Sequence, residues 1–152
     1  MITIQKSQTA DTRTCDWSKV TKEQLLESSK QHIADVEKGF VFFMDQMWKA
    51  AKHHDFDKIE DLYSFHRDFQ TGFKSTIWWD AHRRKNRHHL LAADGVPDDV
   101  DLVDVFDMII DCVMAGMGRS GSVYPLDISP DVLMKAFQNT VELLKSQVTV
   151  AE

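Results

Sequence analysis

Apolar residues recur at helical spacing through most of the chain, and the breaks between the periodic runs mark the ends of the predicted helices. Thr21 and Gln24 form a capping-box pair that opens a first helix. Its stripe is Leu25, Leu26, Ile33 and Val36, with His32 seven residues after Leu25 on the same line. Gly39 is expected to break or bend the chain. Phe40 to Lys52 follows as a second helix, apolar around much of its girth and expected to be central, and it delivers His53-His54-Asp55 at its end. Asp57 to Gln70 predicts a third, turning Ile59, Leu62, Phe65 and Phe69 inward, with Gly72 ending it. Phe73 to Leu91 predicts a fourth, in which Ile77, Trp78 and Ala81 lead into the run AHRRKNRHH. After the turn Asp94-Gly95-Val96-Pro97 comes a fifth, Leu102 to Met117, with a very wide apolar surface. Ser129-Pro130 opens a sixth that runs to about Lys145, with Leu133, Phe137, Val141 and Leu144 on one face. No strand alternation or internal repeat is evident. The fold class read from this pattern is all-α, a single compact helical domain of about six helices over residues 21–152, preceded by a tail over 1–20.

Composition narrows the classes of function. A net charge of −6 over 152 residues argues against general nucleic-acid binding. No run of about 20 apolar residues exists, so no membrane span is expected. Two cysteines, Cys15 and Cys112, fit neither a disulfide framework nor a zinc spacing. With no signal-peptide core in Met1 to Trp17, a cytoplasmic, reducing setting is expected. All seven histidines fall between His32 and His89, and histidine is the commonest metal ligand.

Four places along the chain are candidates for chemistry, each with a plainer reading beside it. His54-Asp55 either faces a shared cavity or simply caps a helix C-terminus. Asp111 either binds a partner inside an apolar helix or joins Asp104 and Asp107 on a narrow solvated stripe. His82, Asn86 and His89 lie at i, i+4 and i+7, one helical face, with His88 as an alternative to His89. Arg83, Arg84, Lys85 and Arg87 beside them suggest an anion such as phosphate, or only a solvated basic helix end. His32 is either a ligand or a satisfied core histidine.

In their order, His32, His54-Asp55 with Lys58, His82, His88-His89, Asp94-Gly95 and Asp111 resemble the metal-dependent HD-domain phosphohydrolase superfamily. HHDFDKI is similar to the His-Asp-x-x-Lys motif of its HD-GYP branch, and HHLLAADGVP to that branch's His-His…Asp-Gly…Pro motif, although the Gly-Tyr-Pro signature is absent. Over residues 21–145 the chain also resembles a family of short phage and bacterial proteins with the same ordered set. The resemblance implies a metal held by His32, His54, Asp55 and Asp111. Where there are two ions, Asp55 bridges to a second held by His82 and His89, or His88. It implies Lys58 and Asp55 in catalysis; the basic helix end adds Arg83, Asn86, Arg87 and His88 as expected substrate contacts. The function implied is hydrolysis of a nucleotide or other small phosphate ester by metal-activated water. One or two ions of Mn, Fe, Zn, Ni or Co suit such ligands. Two alternatives stand beside it: a di-iron oxygenase on the same ligand set, and a phage or bacterial binding or inhibitor protein with a structural metal site. An oligomer is compatible with all three.

Overall fold

In the computed structural model, which describes residues 1–151, the chain is mostly helical. Strand β1 (Ile2–Gln5) precedes helices α1 (Lys22–His53), α2 (Asp57–Glu60), α3 (Leu62–Gln70), α4 (Ile77–Lys85), α5 (Leu102–Ser120) and α6 (Pro130–Gln147), and strand β2 (Val148–Ala151) follows. Among the described residues, no helix is long and apolar enough to cross a membrane. The chain divides into two compact units: residues 1–45 with 142–151, and residues 46–141.

In the first unit, β1 and β2 pair in parallel with Ile2 opposite Val148 and Ile4 opposite Val150. Each strand is only four residues long, too short for its alternation to stand out in the sequence, and β1 falls within the segment read as a tail. The Thr21–Gln24 capping box is present: Gln24 N–H donates to Thr21 Oγ1 and Thr21 N–H to Gln24 Oε1. The expected break at Gly39 does not occur. One glycine costs a helix about 1 kcal/mol, too little to stop a run whose flanking residues keep helical register on both sides. Helix α1 therefore runs unbroken from Lys22 to His53.

The second unit holds the hydrophobic core. Leu90, Val100, Val105, Met108, Cys112 and Ala136 are buried together, and Val96, Leu102, Tyr124, Leu126, Ile128 and Val132 pack around them. Helix α5 starts on a capping box in which Asp101 accepts from the Val103 and Asp104 amides while Asp104 accepts from the Asp101 amide. The predicted third helix is divided by Asp61, whose carboxylate accepts from the Ser64 amide to start α3. Ile59, Leu62 and Phe69 are exposed rather than inward, while Phe65 packs on Trp78.

Helix α4 is shorter than predicted at both ends. Residues 71–76 instead wrap the buried Asp68 carboxylate, which accepts from the Ser75 and Thr71 hydroxyls and the Trp79 amide. At the other end Asn86 caps the helix: its backbone N–H makes the last helical bond to the His82 carbonyl, its side-chain amide shares that carbonyl, and its backbone then turns extended. His88 and His89 thus lie on a turn. Gly95 fixes that turn, because a Cβ there would run into the His89 carbonyl.

Candidate metal centre

Helix α1 ends by handing the chain to Asp55, whose φ of +52° lies in the left-handed region. Aspartate tolerates that conformation better than most residues, since its short side chain bonds locally. The Asp55 amide donates to Asn86 Oδ1 at 3.2 Å, so Asn86 holds the turn in place. Asp55 is thereby aimed at four imidazoles: His54 beside it, His82 from α4, and His88 and His89 from the turn after α4.

These side chains form two ligand-ready groups, His54–Asp55–His88 and Asp55–His82–His89, each with its donor atoms within 4.8 Å of one another. Asp55 belongs to both. Its Oδ1 lies 3.3 Å from His82 Nε2 and 3.6 Å from His88 Nε2, and its Oδ2 lies 3.5 Å from His54 Nε2 and against Lys58 Nζ. Four atoms facing this point are buried and carry no hydrogen bond: Asp55 Oδ1, His82 Nε2, His88 Nε2 and His89 Nε2. Buried polar atoms without partners are rare and costly, and here they converge. Three imidazole nitrogens around one carboxylate oxygen, sheltered from water, fit a divalent transition metal.

The opposite ring nitrogens of His54, His82 and His88 face carboxylates. His82 is fully buried, and its Nδ1 is 2.9 Å from Asp57 Oδ1, which also accepts from Asn86 Nδ2 at 2.9 Å. Trp78 and Trp79 stack on the His82 ring at 4.6 and 5.3 Å, so both serve as its walls. Asp107 serves two histidines: its Oδ1 is 2.8 Å from His54 Nδ1 and its Oδ2 is 3.5 Å from His88 Nδ1. A carboxylate on Nδ1 directs the Nε2 lone pair toward a metal, the arrangement common behind metal-bound histidine.

The electrostatics of the bare site follow. Asp107, with Asp111, raises His54 to about 10. Burial pushes Asp55 up, but His82 and Lys58 outweigh it and hold the carboxyl well below the usual range. Burial likewise opposes Asp107, yet His54 and His88 bring it to about 2. Burial lowers His89 to about 3, which leaves it neutral and able to offer a lone pair at physiological pH.

The residues singled out in the sequence divide clearly. His54, Asp55, His82 and His89 come together, and Lys58 lies against Asp55. His88 and His89 are not alternatives: each joins a different group. Asp111 sits 3.6 Å from His54 Nε2 but in neither group, and His32 is in neither group among the described residues. Two of the four cations expected to bind phosphate, Arg83 and Arg87, are already engaged. Arg83 pairs with Asp94 at 2.6 Å and Asp80 at 2.9 Å, and Arg87 with Asp104 at 2.8 Å and Asp99 at 2.9 Å. Asn86 is buried in the framework and His88 is ligand-ready, so neither is placed as a substrate contact. The sequence reads Asp57 only as a helix start and Asp107 only as part of a stripe with Asp111, and gives neither a place behind a histidine.

Beside His54 lies a cavity of about 270 Å³ lined by Met47, Ala50, Val103, Phe106, Ile110 and Met114, with Asp107 and Asp111 on its polar wall. Compared with known proteins, the chain matches no family model, no curated protein and no solved structure.

Proposed function

We propose that the second unit is a metal-dependent phosphohydrolase site of HD type, acting on a small phosphate monoester whose non-phosphate part is apolar. The observation that carries this reading is the position of Asp55, shared by two histidine groups with their unpartnered atoms turned toward it. His54, Asp55 and His88 would hold one divalent ion, and Asp55, His82 and His89 a second. The HD resemblance would put His32 in the first set; this chain offers His88 for that place. A metal held here lowers the pKa of bound water toward neutrality and polarises a phosphoryl oxygen.

The protein's own groups have distinct tasks. Asp57 and Asp107 keep the imidazoles in the tautomer that presents Nε2. Lys58, beside Asp55, is the cation within reach of a phosphoryl oxygen. Asp111, kept ionised by His54, accepts a proton at the edge of the site. With Arg83 and Arg87 engaged by carboxylates, one phosphoryl group is better accommodated than a polyphosphate, and the apolar cavity suits an alkyl or aryl leaving group.

The test is to load purified protein with Mn or Fe, confirm the bound metal, and compare p-nitrophenyl phosphate and short alkyl phosphates with nucleoside triphosphates. Phosphate release from the monoesters, abolished by Asp55→Asn, is expected. No release from any ester by metal-loaded protein overturns the reading. The apolar cavity also favours a second reading, an iron-dependent oxygenase; iron-dependent visible absorption with oxygen uptake on addition of an apolar substrate would distinguish it.

A further inference from the structure

Helix α1 is clothed on the wrong side for a protein that works alone. Within the first unit, its polar face is covered by the chain itself. Ser28 meets the hydroxyls of Ser7 and Thr9, Gln31 Nε2 donates to the Gln5 carbonyl at 2.9 Å, and Lys38 Nζ donates to the Thr3 carbonyl at 2.9 Å. The apolar face is open. Leu26, Ile33 and Phe40 are 53, 58 and 67 % exposed.

The spacing of that face is a heptad. Leu26, Ile33 and Phe40 recur every seven residues as one seam position, and Ser29, Val36 and Phe43 as the other, three or four residues along. The register continues through Met47 and Ala50. A strict seven-residue repeat is what a helix needs when it packs along another helix, because 3.5 residues per turn keeps one seam facing the partner. A groove of about 490 Å³ runs beside the seam, lined by Ile2, Ile4, Val36, Phe40, Phe43 and Leu144.

We infer that this face is a homodimer interface in which two copies of α1 pack antiparallel. The charges choose the partner and the direction. Lys30 and Glu37 occupy the same flanking heptad position. Antiparallel self-pairing centred between Ile33 and Val36 sets Lys30 against the partner's Glu37, and Glu37 against the partner's Lys30. In the same register Ile33 meets the partner's Val36, Leu26 meets the partner's Phe43, and Phe40 lies over the partner's Ser29. Ser29 suits that place: it is small, and its hydroxyl is satisfied by the Leu25 carbonyl at 2.8 Å. His32 falls on the opposite flank, beside the partner's Gly39. The existing Lys30–Glu27 contact is well exposed and so leaves Lys30 free to re-pair.

Analytical ultracentrifugation of the full chain, with and without chelator, tests this. The expected result is a species of twice 17.5 kDa at micromolar concentration, converted to monomer by Phe40→Glu. Lys30→Glu, an exposed substitution with no packing role, should raise the dimer dissociation constant about tenfold, and adding Glu37→Lys should restore it. A wild-type monomer, the outcome if a different protein covers the seam, overturns the inference, as does an oligomer indifferent to Phe40→Glu. Failure of the double charge swap to restore association overturns the antiparallel register.

Discussion

Asp107 Oδ1 lies 2.8 Å from His54 Nδ1, and the same carboxylate turns its other oxygen to His88, so one side chain orients both imidazoles of one ligand group. Asp107→Asn leaves one acceptor where there were two. Affinity for Mn or Zn should fall about 10- to 100-fold in calorimetric titration, with little change in fold by circular dichroism. An unchanged affinity would show that Asp107 plays no part in holding the ligands.

Asn86 stands between the two groups. It donates to Asp57 and to the His82 carbonyl, and accepts from the amide of left-handed Asp55. Asn86→Ala leaves a buried Asp57 acceptor short of a partner, at a cost of about 1–3 kcal/mol in denaturant unfolding. It should also weaken metal binding. A change confined to substrate KM, with stability and metal affinity intact, would instead make Asn86 a substrate contact.

Arg87 holds Asp104, which is buried at the start of α5. Arg87→Ala leaves that carboxylate with the Asp101 amide as its remaining donor and should destabilise the fold by about 1–3 kcal/mol. Loss of activity should then parallel loss of folded protein. Full stability combined with a raised KM for phosphate esters would return Arg87 to substrate binding.

Asp68 provides an acid-sensitive joint away from the ligands. The Ser75 hydroxyl, helped by the Trp79 amide, holds its carboxyl below the ordinary 3.8. A lowered carboxyl contributes stability above 3.8 and loses it as the pH falls through the folded value. Asp68→Asn should therefore lower the melting temperature by several degrees at pH 7, and its deficit against wild type should shrink below pH 4. A deficit constant from pH 7 to pH 3 would show that the charge is not what matters.

The helical composition, the α1 capping box and the His54-Asp55 corner were legible because each depends on residues close in sequence. What was not legible depends on competition or closure. Gly39 resembled a stop because composition alone does not reveal that helical register survives across it. Asn86 resembled a helix position because its spacing to His82 is helical, whereas its backbone turns extended while its side chain bonds Asp57 and the Asp55 amide. Arg83 and Arg87 resembled a phosphate site because Asp94 and Asp104, which neutralise them, are eleven and seventeen residues away. His32 entered the metal set through the resemblance, and it belongs to neither histidine group among the described residues.

Asp55 carries two demands that rarely fall on one residue. Its carboxylate is shared by both histidine groups, and its backbone occupies a conformation that glycine, asparagine and aspartate enter far more readily than other residues. Asparagine satisfies the backbone but not the ligand set; glutamate keeps the charge but strains the turn. Chemistry and folding can therefore be separated at this one position. For any lineage carrying this site, the substitutions available there are narrower than ligand chemistry alone would leave them.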